Sequence, residues 1–293
     1  MKKRLLLYLF VLIGILSLNS PCYAIKIGLQ VNADWVGIGS SGNTSIIDAN
    51  TNKTVVKIDG MKGYEIVPYK NTMAIKLDGK FYQIYSDYVV IKPPEGGFIS
   101  AKNKWYRGFL VIQNKNKKLT VINDVSLEDY LKGVVPSEMP SSWEQEALKA
   151  QAIAARSYAL ANLGKRASLG FDLKDTPEDQ AYGGATAETA KTNNAVDETS
   201  GLVLTYNYKV VSAFYSASAG GHTVTAKQAW GGDLPYIRAV PSFDDNVKKN
   251  GHGIGMSQHG ANNLAKKGYN AYQILQYFYK NVKFARADES SIN

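Results

Sequence analysis

The sequence predicts an α+β fold in which a small β module precedes a larger mixed domain built around one long buried helix. Short alternating apolar runs separated by turn residues fill positions 25–95, a pattern typical of strands. Similar runs return at 105–123 and 202–215. Between them, residues 142–163 are apolar over most of a helical circumference, which favours a buried helix rather than a superficial one.

The first 24 residues have the pattern of an export signal. Positively charged residues 2–4 precede the apolar run 5–18, and small residues lead up to Ala24. The apolar run is short for a membrane span of about 20 residues. We therefore expect cleavage after Ala24 and an exported protein of the periplasm, cell wall or extracellular medium, with a membrane anchor only if the segment stays uncleaved.

Cleavage would also change the charge and the cysteine content. Cys22 is the only cysteine, so the mature chain would have neither disulfide nor thiol chemistry. Loss of residues 2–4 lowers the net charge from +9 to +6. A mild positive charge suits association with anionic wall polymers as well as ordinary solubility. The chain lacks a basic, aromatic patch, so no nucleic-acid partner is expected.

Residues 25–95 are predicted to form the N-terminal β module. Turn residues divide this region at 40–43, 59–60 and 78–80, and Asp78-Gly79 supplies the positive φ of a tight hairpin. The segment 92–97, rich in proline and glycine, is interpreted as a linker. We therefore place a domain boundary at residue 95, with the second domain at 96–293.

The segment 136–140 holds one carboxylate, Glu138, between Pro136 and Pro140. Each proline fixes its own φ and disfavours helix at the residue before it. We therefore expect a stiff, non-helical segment whose carboxylate is either a structural acceptor or a reactive group. Ser141 and Ser142 are good N-caps for the helix that follows.

Two polar residues of the long helix need an explanation. Arg156 on so apolar a helix needs an anionic partner or contact with solvent. Glu138 and Glu128 are the candidates, with Glu138 preferred, and the alternative is an arginine that ties down a loop. Gln151 precedes Arg156 by five positions and lies about 140° away on the helix.

Several chemistries can be set aside by spacing. His222, His252 and His259 do not have the spacing of a zinc site, so neither a metal nor another cofactor is predicted. The sequence has no G-x-S-x-G nucleophile motif. The glycine-rich segment 251–261 lacks the lysine of a phosphate-binding loop. The chemistry that remains is acid/base catalysis by a carboxylate, as in glycoside cleavage, and Glu138 is the candidate residue.

At five segments the chain resembles the stage II sporulation protein D family. These segments are 127–140, 146–158, 179–184, 214–223 and 251–258, and the similarity runs over roughly 105–283. The resemblance implies a peptidoglycan lytic transglycosylase that cuts between N-acetylmuramic acid and N-acetylglucosamine and leaves 1,6-anhydro ends, with Glu138 catalytic. Other relatives are amidase enhancers, which implies an alternative: a non-catalytic wall-binding protein.

The resemblance also implies a set of site residues and partners. Substrate-binding or supporting roles fall on Gln151, Arg156, Gln180, Tyr182, His222, His252 and Gln258. The implied partners are peptidoglycan glycan strands and, in the alternative, a cell-wall amidase. Two departures stand out: only residues 246–250 separate Asp245 from the glycine-rich segment, and no mature cysteine could reproduce the zinc site of some relatives.

Overall fold

A computed structural model describes residues 23–287 and confirms the α+β fold. The first half of the chain consists of strands β1 (Ala24–Ala33), β2 (Val36–Ser40), β3 (Thr44–Asp48), β4 (Thr54–Ile58), β5 (Gly63–Tyr69), β6 (Thr72–Leu77), β7 (Lys80–Ile84), β8 (Tyr88–Ile91), β9 (Ile99–Ala101), β10 (Lys104–Tyr106), β11 (Phe109–Lys115) and β12 (Lys118–Ser126). The second half consists of α1 (Leu127–Glu138), α2 (Gln145–Ala161), β13 (Leu173–Lys174), α3 (Ala190–Glu198), β14 (Leu202–Tyr206), β15 (Lys209–Val210), β16 (Tyr215–Ser216), α4 (Ala226–Trp230), β17 (Met256–Ser257), α5 (Gln258–Lys266), α6 (Ala271–Phe278) and β18 (Lys283–Arg286).

The N-terminal strands form two sheets around a shared core. One sheet has the order β13-β1-β12-β11-β8-β3-β4 and the other β10-β9-β2-β5-β6-β7. Ile46, Ile66 and Ile112 are fully buried members of the core cluster that both sheets supply. Each sheet contains strands from both sides of the boundary predicted at residue 95, because β8 pairs with β11 and β2 pairs with β9. The β region therefore extends to Ser126.

The end of the predicted signal segment also needs correction. Ala24 opens β1 and pairs with Ser126, and the Tyr23 carbonyl accepts a hydrogen bond from the Leu127 N–H at 2.7 Å. These two residues belong to the fold because the alternation of β1 continues back through them. Residues 1–22 of that prediction lie outside the described residues. No helix within 23–287 is long and apolar enough to cross a membrane.

The segment around Glu138 is helical, contrary to the prediction. Helix α1 begins at the Ser126 cap, whose hydroxyl accepts from the Asp129 N–H, and runs through Pro136 to Glu138. A proline in the last turn removes only one backbone hydrogen bond of the helix. Met139, which precedes Pro140, is extended and ends the helix, while its N–H still bonds to the Val135 carbonyl.

Helix α2 is the central helix of the second half. It contacts α1, α3, α5, α6 and β14, and all of its alanines except Ala161 at its end are fully buried, which permits this close packing. It spans 145–161 rather than the predicted 142–163, and neither Ser141 nor Ser142 caps it. The Glu144 N–H instead donates to the Asn262 side-chain oxygen at 3.0 Å, a tertiary contact that holds the preceding turn.

Candidate active site

A cleft of about 520 Å³ lies at the C-terminal end of α1. Residues 177–179, 181, 214–217 and 250–252 line it together with side chains of α1, α2, α4 and α5. Tyr158, Phe214 and Trp230 form an aromatic wall, in which the Phe214 ring lies 5.6 Å from Tyr158 and 4.8 Å from Trp230. Trp230 is 50% exposed, so this wall offers a free apolar surface to a ligand. The volume is that of a small-molecule or oligomer site.

Glu138, the last residue of α1, presents its carboxyl group to this cleft. Oε1 accepts a hydrogen bond from the Ala181 N–H at 2.7 Å. Oε2 accepts a longer bond, 3.4 Å, from the Gln258 amide nitrogen. The short backbone contact fixes the orientation of the carboxyl group, and Oε2 is the oxygen better placed to carry a proton.

Burial raises the pKa of the Glu138 carboxyl above its usual value. Hydrogen bonds from the Ala181 N–H, the Gln258 amide and the Tyr215 hydroxyl oppose this shift but do not reverse it. A carboxyl group with a raised pKa that faces a cleft is the usual arrangement of a general acid.

A chain of hydrogen bonds leads to Glu138 from the core. The Tyr130 hydroxyl donates to the Gln180 side-chain oxygen at 3.3 Å, and the Gln180 amide donates to the Tyr215 hydroxyl oxygen at 2.8 Å. The Tyr215 proton is thereby directed at Glu138. Gln180 is fully buried and does not line the cleft, so it acts through Tyr215. Sequence reasoning missed Tyr215, since a tyrosine in a short strand carries no local signal of this role.

Gln258 is held in place by a second glutamine. Its amide nitrogen also donates to the Gln151 side-chain oxygen at 3.4 Å. Gln151 is fully buried and lies behind Gln258 rather than on the cleft surface. Gln258 itself is the first residue of α5, and the Ser257 hydroxyl caps that helix by accepting from the Gly260 N–H. The helix start thus fixes where the Gln258 amide points.

The other carboxylates that line the cleft are engaged in ion pairs. The Asp179 carboxylate, which is buried, accepts from Lys165 at 2.7 Å and from Arg166 at 2.6 Å. Burial alone would raise the Asp179 pKa, but these partners hold it below its usual value. Glu178 pairs with Lys174 at 2.6 Å and is more than half exposed. Among the described residues that line the cleft, Glu138 is thus the acid with a raised pKa.

His252 and His222 have different environments. His252 lines the cleft, and its Nδ1 accepts from the Ile254 N–H at 3.0 Å, so the neutral ring carries its proton on Nε2. Burial and the nearby Lys249 lower the His252 pKa, which keeps the ring neutral. His222 is exposed and contacts the carbonyl of Thr223, its neighbour, at 3.0 Å. It does not line the cleft.

The structure corrects the expectation for Arg156. Its guanidinium makes a bidentate pair with Glu128, at 2.8 and 2.7 Å, rather than with Glu138. It also donates to the carbonyls of Leu202 and Val196 and is fully buried. The arginine therefore ties α2 to the start of α1 and to residues 196–202, as in the structural alternative.

Tyr182 is also a core residue rather than part of the cleft surface. It is 2% exposed, its hydroxyl donates to the Asn123 side-chain oxygen at 2.8 Å, and its ring lies 4.8 Å from that of Tyr130. Its backbone neighbour Ala181 supplies the N–H that bonds Glu138. Tyr182 therefore supports the segment that holds the acid.

A buried carboxylate, Asp244, organises the loops beside the cleft. It accepts from the N–H groups of Ala219 and Gly221, both at 2.7 Å, and from the hydroxyls of Ser242 and Ser257. Burial opposes ionisation, but these four hydrogen bonds hold the Asp244 pKa below its usual value. Because Ser257 caps the helix that carries Gln258, Asp244 links the loop 216–223 to the cleft that contains Glu138. Sequence analysis assigned it no role.

Within residues 23–287 no group of three or more histidine, cysteine, aspartate or glutamate side chains is arranged to hold a metal ion.

The fold and the cleft define an α+β protein with a single-acid site. Its residues 115–206 match the sequence model of the family described as Stage II sporulation protein. An uncharacterized protein of Brachyspira hyodysenteriae is 34% identical over 70% of this chain and 52% of its own length. The chain thus spans about half the length of that relative.

Two Bacillus subtilis proteins are also similar. The stage II sporulation protein D is 26% identical, over 57% of this chain and 76% of its own length. The amidase enhancer is 43% identical, over 39% of this chain but only 15% of its own length. Together with the family match over residues 115–206, these similarities support the resemblance of the chain to the stage II sporulation protein D family.

Proposed function

We propose that this protein is an exported lytic transglycosylase that cleaves the glycan strands of peptidoglycan. The observation that carries the proposal is Glu138, an acid of raised pKa in a cleft whose other carboxylates are ion-paired. The family match and the names of the Bacillus subtilis relatives support a role at the cell wall. The predicted signal segment supports export.

Among the described residues that line the cleft, every carboxylate other than Glu138 is ion-paired, which favours a nucleophile from the substrate itself. Two-carboxylate glycosidases use their second group as nucleophile or base. Here Glu138 protonates the glycosidic oxygen while the bond from that oxygen to the muramoyl C1 breaks. The muramoyl C6 hydroxyl then attacks C1 and closes the 1,6-anhydro ring, and its proton returns to the Glu138 carboxylate. Atoms and charge balance, and the acid is regenerated.

The neighbours of Glu138 support both steps. The Ala181 N–H holds Oε1, so Oε2 gives and takes the proton. The Gln258 amide and the Tyr215 hydroxyl stabilise the carboxylate formed after the first transfer. The His252 ring is held by hydrogen bonds to the backbone of Ile254 and Tyr215. Trp230 with Phe214 offers a surface on which a sugar ring stacks.

The test is digestion of purified glycan strands, both intact and stripped of stem peptides, followed by mass spectrometry. We expect anhydro-muramoyl products from the parent protein and none from Glu138→Gln. Glu178→Gln is the matched control, because Glu178 lines the same cleft but is ion-paired and exposed, and it should cleave as the parent does. Equal cleavage by parent and Glu138→Gln would refute the role of Glu138.

A second candidate is an amidase enhancer without activity of its own. The observation that favours it is the 43% identity to a protein of that name. This candidate predicts that neither glycan preparation is cleaved and that an added cell-wall amidase is stimulated equally by the parent and by Glu138→Gln.

A further inference from the structure

A second cleft, also of about 520 Å³, lies on the six-stranded sheet. Residues 37, 39 and 63–65 line it together with side chains from β6, β9 and β10. The strand register explains which side chains meet there. Gly39 pairs with Gly63 on one side and with Ser100 on the other, and Ser100 pairs with Trp105. In the next row Gly37 pairs with Glu65, which in turn pairs with Lys76.

The floor of this cleft, here called the glycine trough, consists of Gly37, Gly39 and Gly63. A Cβ built at Gly63 would meet no heavy atom of the described chain within 4 Å. A Cβ at Gly37 would meet only the Trp35 ring, at 3.6 Å. A Cβ at Gly39 would lie 3.1 Å from the Lys62 carbonyl oxygen, so close packing accounts for that glycine. None of the three has a positive φ, so no turn geometry requires glycine at Gly37 or Gly63. Glycine weakens a strand interior and often marks a place where a ligand approaches the backbone.

Two tryptophans border the trough. Trp35 is 59% exposed, and its ring lies over the Gly37 position. Trp105 projects from β10 on the opposite side and is half-buried. Of the four tryptophans in the sequence, a third, Trp230, lines the cleft with Glu138. Both clefts therefore share an exposed indole face, which is costly in water and suited to an apolar ring face.

The rim of the trough is polar and its charges balance. Glu65 and Lys76 form an ion pair of 3.8 Å, and Lys62, Asp78 and Asn103 surround the opening. The floor itself offers no hydrogen bonds, because the backbone groups of β2, β5 and β9 pair within the sheet. A ligand must then have apolar ring faces for the indoles and hydroxyl or amide groups for the rim.

We propose that the glycine trough is a second saccharide site, which binds a length of the same glycan strand away from the cleavage point. Sugars of an N-acetylated glycan have the required apolar faces with polar edges. The volume, equal to that of the catalytic cleft, accommodates a short run of such rings and lies in the range of ligand sites. The identity of the glycan as peptidoglycan rests on the proposed function.

The two clefts are linked by a short stretch of chain. The Trp105 N–H donates to the Thr186 hydroxyl at 2.8 Å. Five positions earlier, the Ala181 N–H bonds Glu138. Five extended residues span at most about 18 Å. A single glycan strand is long enough to occupy both clefts, so the trough would hold long strands while the catalytic cleft cuts them.

The test measures binding separately from cleavage. Fluorescently labelled glycan strands stripped of stem peptides are titrated with the full chain carrying Glu138→Gln, with fluorescence anisotropy as the readout. Gly63→Val fills the trough, and its new side chain has open space, so the fold should be retained. Trp35→Ala removes one indole face. Each should weaken binding of long strands about tenfold, Trp35→Ala through the loss of one stacking contact and Gly63→Val because its side chain occupies the place of a sugar ring. Tyr85→Ala is the matched control, since Tyr85 is 81% exposed and outside the trough.

In the chain that retains Glu138, the two trough variants should cleave a tetrasaccharide at the parental rate. Unchanged affinity for long strands in both variants would overturn the proposal, as would an equal loss in Tyr85→Ala. Retained glycan affinity with lost stimulation of an amidase would also overturn it and assign the trough to a protein partner. If no preparation is cleaved but the trough variants still bind glycan more weakly, the proposed function fails and the saccharide site stands.

Discussion

The pair between Arg156 and Glu128 gives the sharpest test of how the second half of the chain is held together. Glu128→Gln keeps the shape of the side chain and removes its charge. It leaves the guanidinium, which is fully buried, without a counter-ion. Breaking a buried pair by removal of one partner costs about 3–5 kcal/mol.

The structure favours the lower end of that range. The Glu128 carboxylate is 32% exposed, so water screens part of the attraction. The carbonyls of Leu202 and Val196 continue to accept from Arg156 in the variant. We therefore expect a loss of about 3 kcal/mol in the free energy of unfolding, equivalent to a fall of about 6–12 °C in Tm for a chain of this size.

Urea unfolding followed by tryptophan fluorescence measures this loss as a lower midpoint at constant m-value. Asp34→Asn is the matched control, because it also removes a carboxylate from a bonded pair, with Lys118 at 2.6 Å, but Asp34 is 79% exposed. Its midpoint should be unchanged. A loss below about 1 kcal/mol in Glu128→Gln would refute the reasoning, since that is the value of an exposed pair. If Glu128→Gln lost cleavage activity at unchanged stability, the result would indicate that Arg156 acts in the active site.

Three further predictions concern single side chains. Gly133→Ala should lower stability by about 1–3 kcal/mol, although alanine normally favours a helix, because its Cβ would lie 2.5 Å from the Tyr182 ring. Asp244→Asn should cost about 3 kcal/mol, since an amide cannot accept all four hydrogen bonds. The lowered Asp244 pKa contributes stability that is present above about pH 3.8 and is lost as the pH falls, so the difference between parent and variant should shrink in acid. Glu138→Gln should be more stable than the parent at pH 7, because a raised pKa makes the folded state bind more protons and lose stability as the pH rises from about 4.5.

Urea midpoints over a range of pH check all three. Gly133→Ala is contradicted by a stability equal to or above that of the parent. A difference for Asp244→Asn that stays constant down to pH 2.5 would mean that the carboxylate is not held ionised. Equal urea midpoints for Glu138→Gln and the parent at neutral pH would contradict a raised pKa of the Glu138 carboxyl. In cleavage assays, the parental rate constant should fall as the pH rises through the Glu138 pKa, since the proton is the reactant.

The long helix was predictable and its partners were not. The alanine-rich pattern of 147–160 specifies a helix buried on nearly every side, and α2 is that helix. Its start was predicted three residues early, because the contact from Glu144 to Asn262 joins residues 118 positions apart. Local capping rules contain no such information.

Helix α1 was missed for a different reason. Leu127, Tyr130, Leu131, Val134 and Val135 follow the spacing of a buried helical face, and Ser126 is a good cap. The prediction treated Pro136 as a helix breaker in spite of these signals, although a proline in the last turn of a helix removes only one backbone hydrogen bond. The same error led to the prediction that Arg156 pairs with Glu138. With 136–140 predicted as extended, Glu128 and Glu138 were not recognised as opposite ends of one helix.

The acid of the site, Glu138, could be predicted from the sequence, but the groups that support it could not. Glu138 stands out through its flanking motif, and Gln258 and His252 through the glycine-rich segment. Tyr215 and Asp244 are single polar residues without a local motif, and their roles arise from contacts with Glu138, Ala219 and Ser257, each more than ten positions away. Only the folded chain brings them to the cleft.

Strand β12 pairs with β1 on one side and with β11 on the other, and this pairing determines which part of the chain can fold on its own. The segment matched by the family begins at residue 115, the last position of β11. Excised alone, it would carry β12 with both edges open and Val121, Ile122 and Val125 exposed, a surface prone to edge-to-edge aggregation. It would hold the acid without Tyr215 or Gln258. The unit of family similarity is therefore smaller than the unit that folds, and grafting of the activity requires the strands on both sides of it.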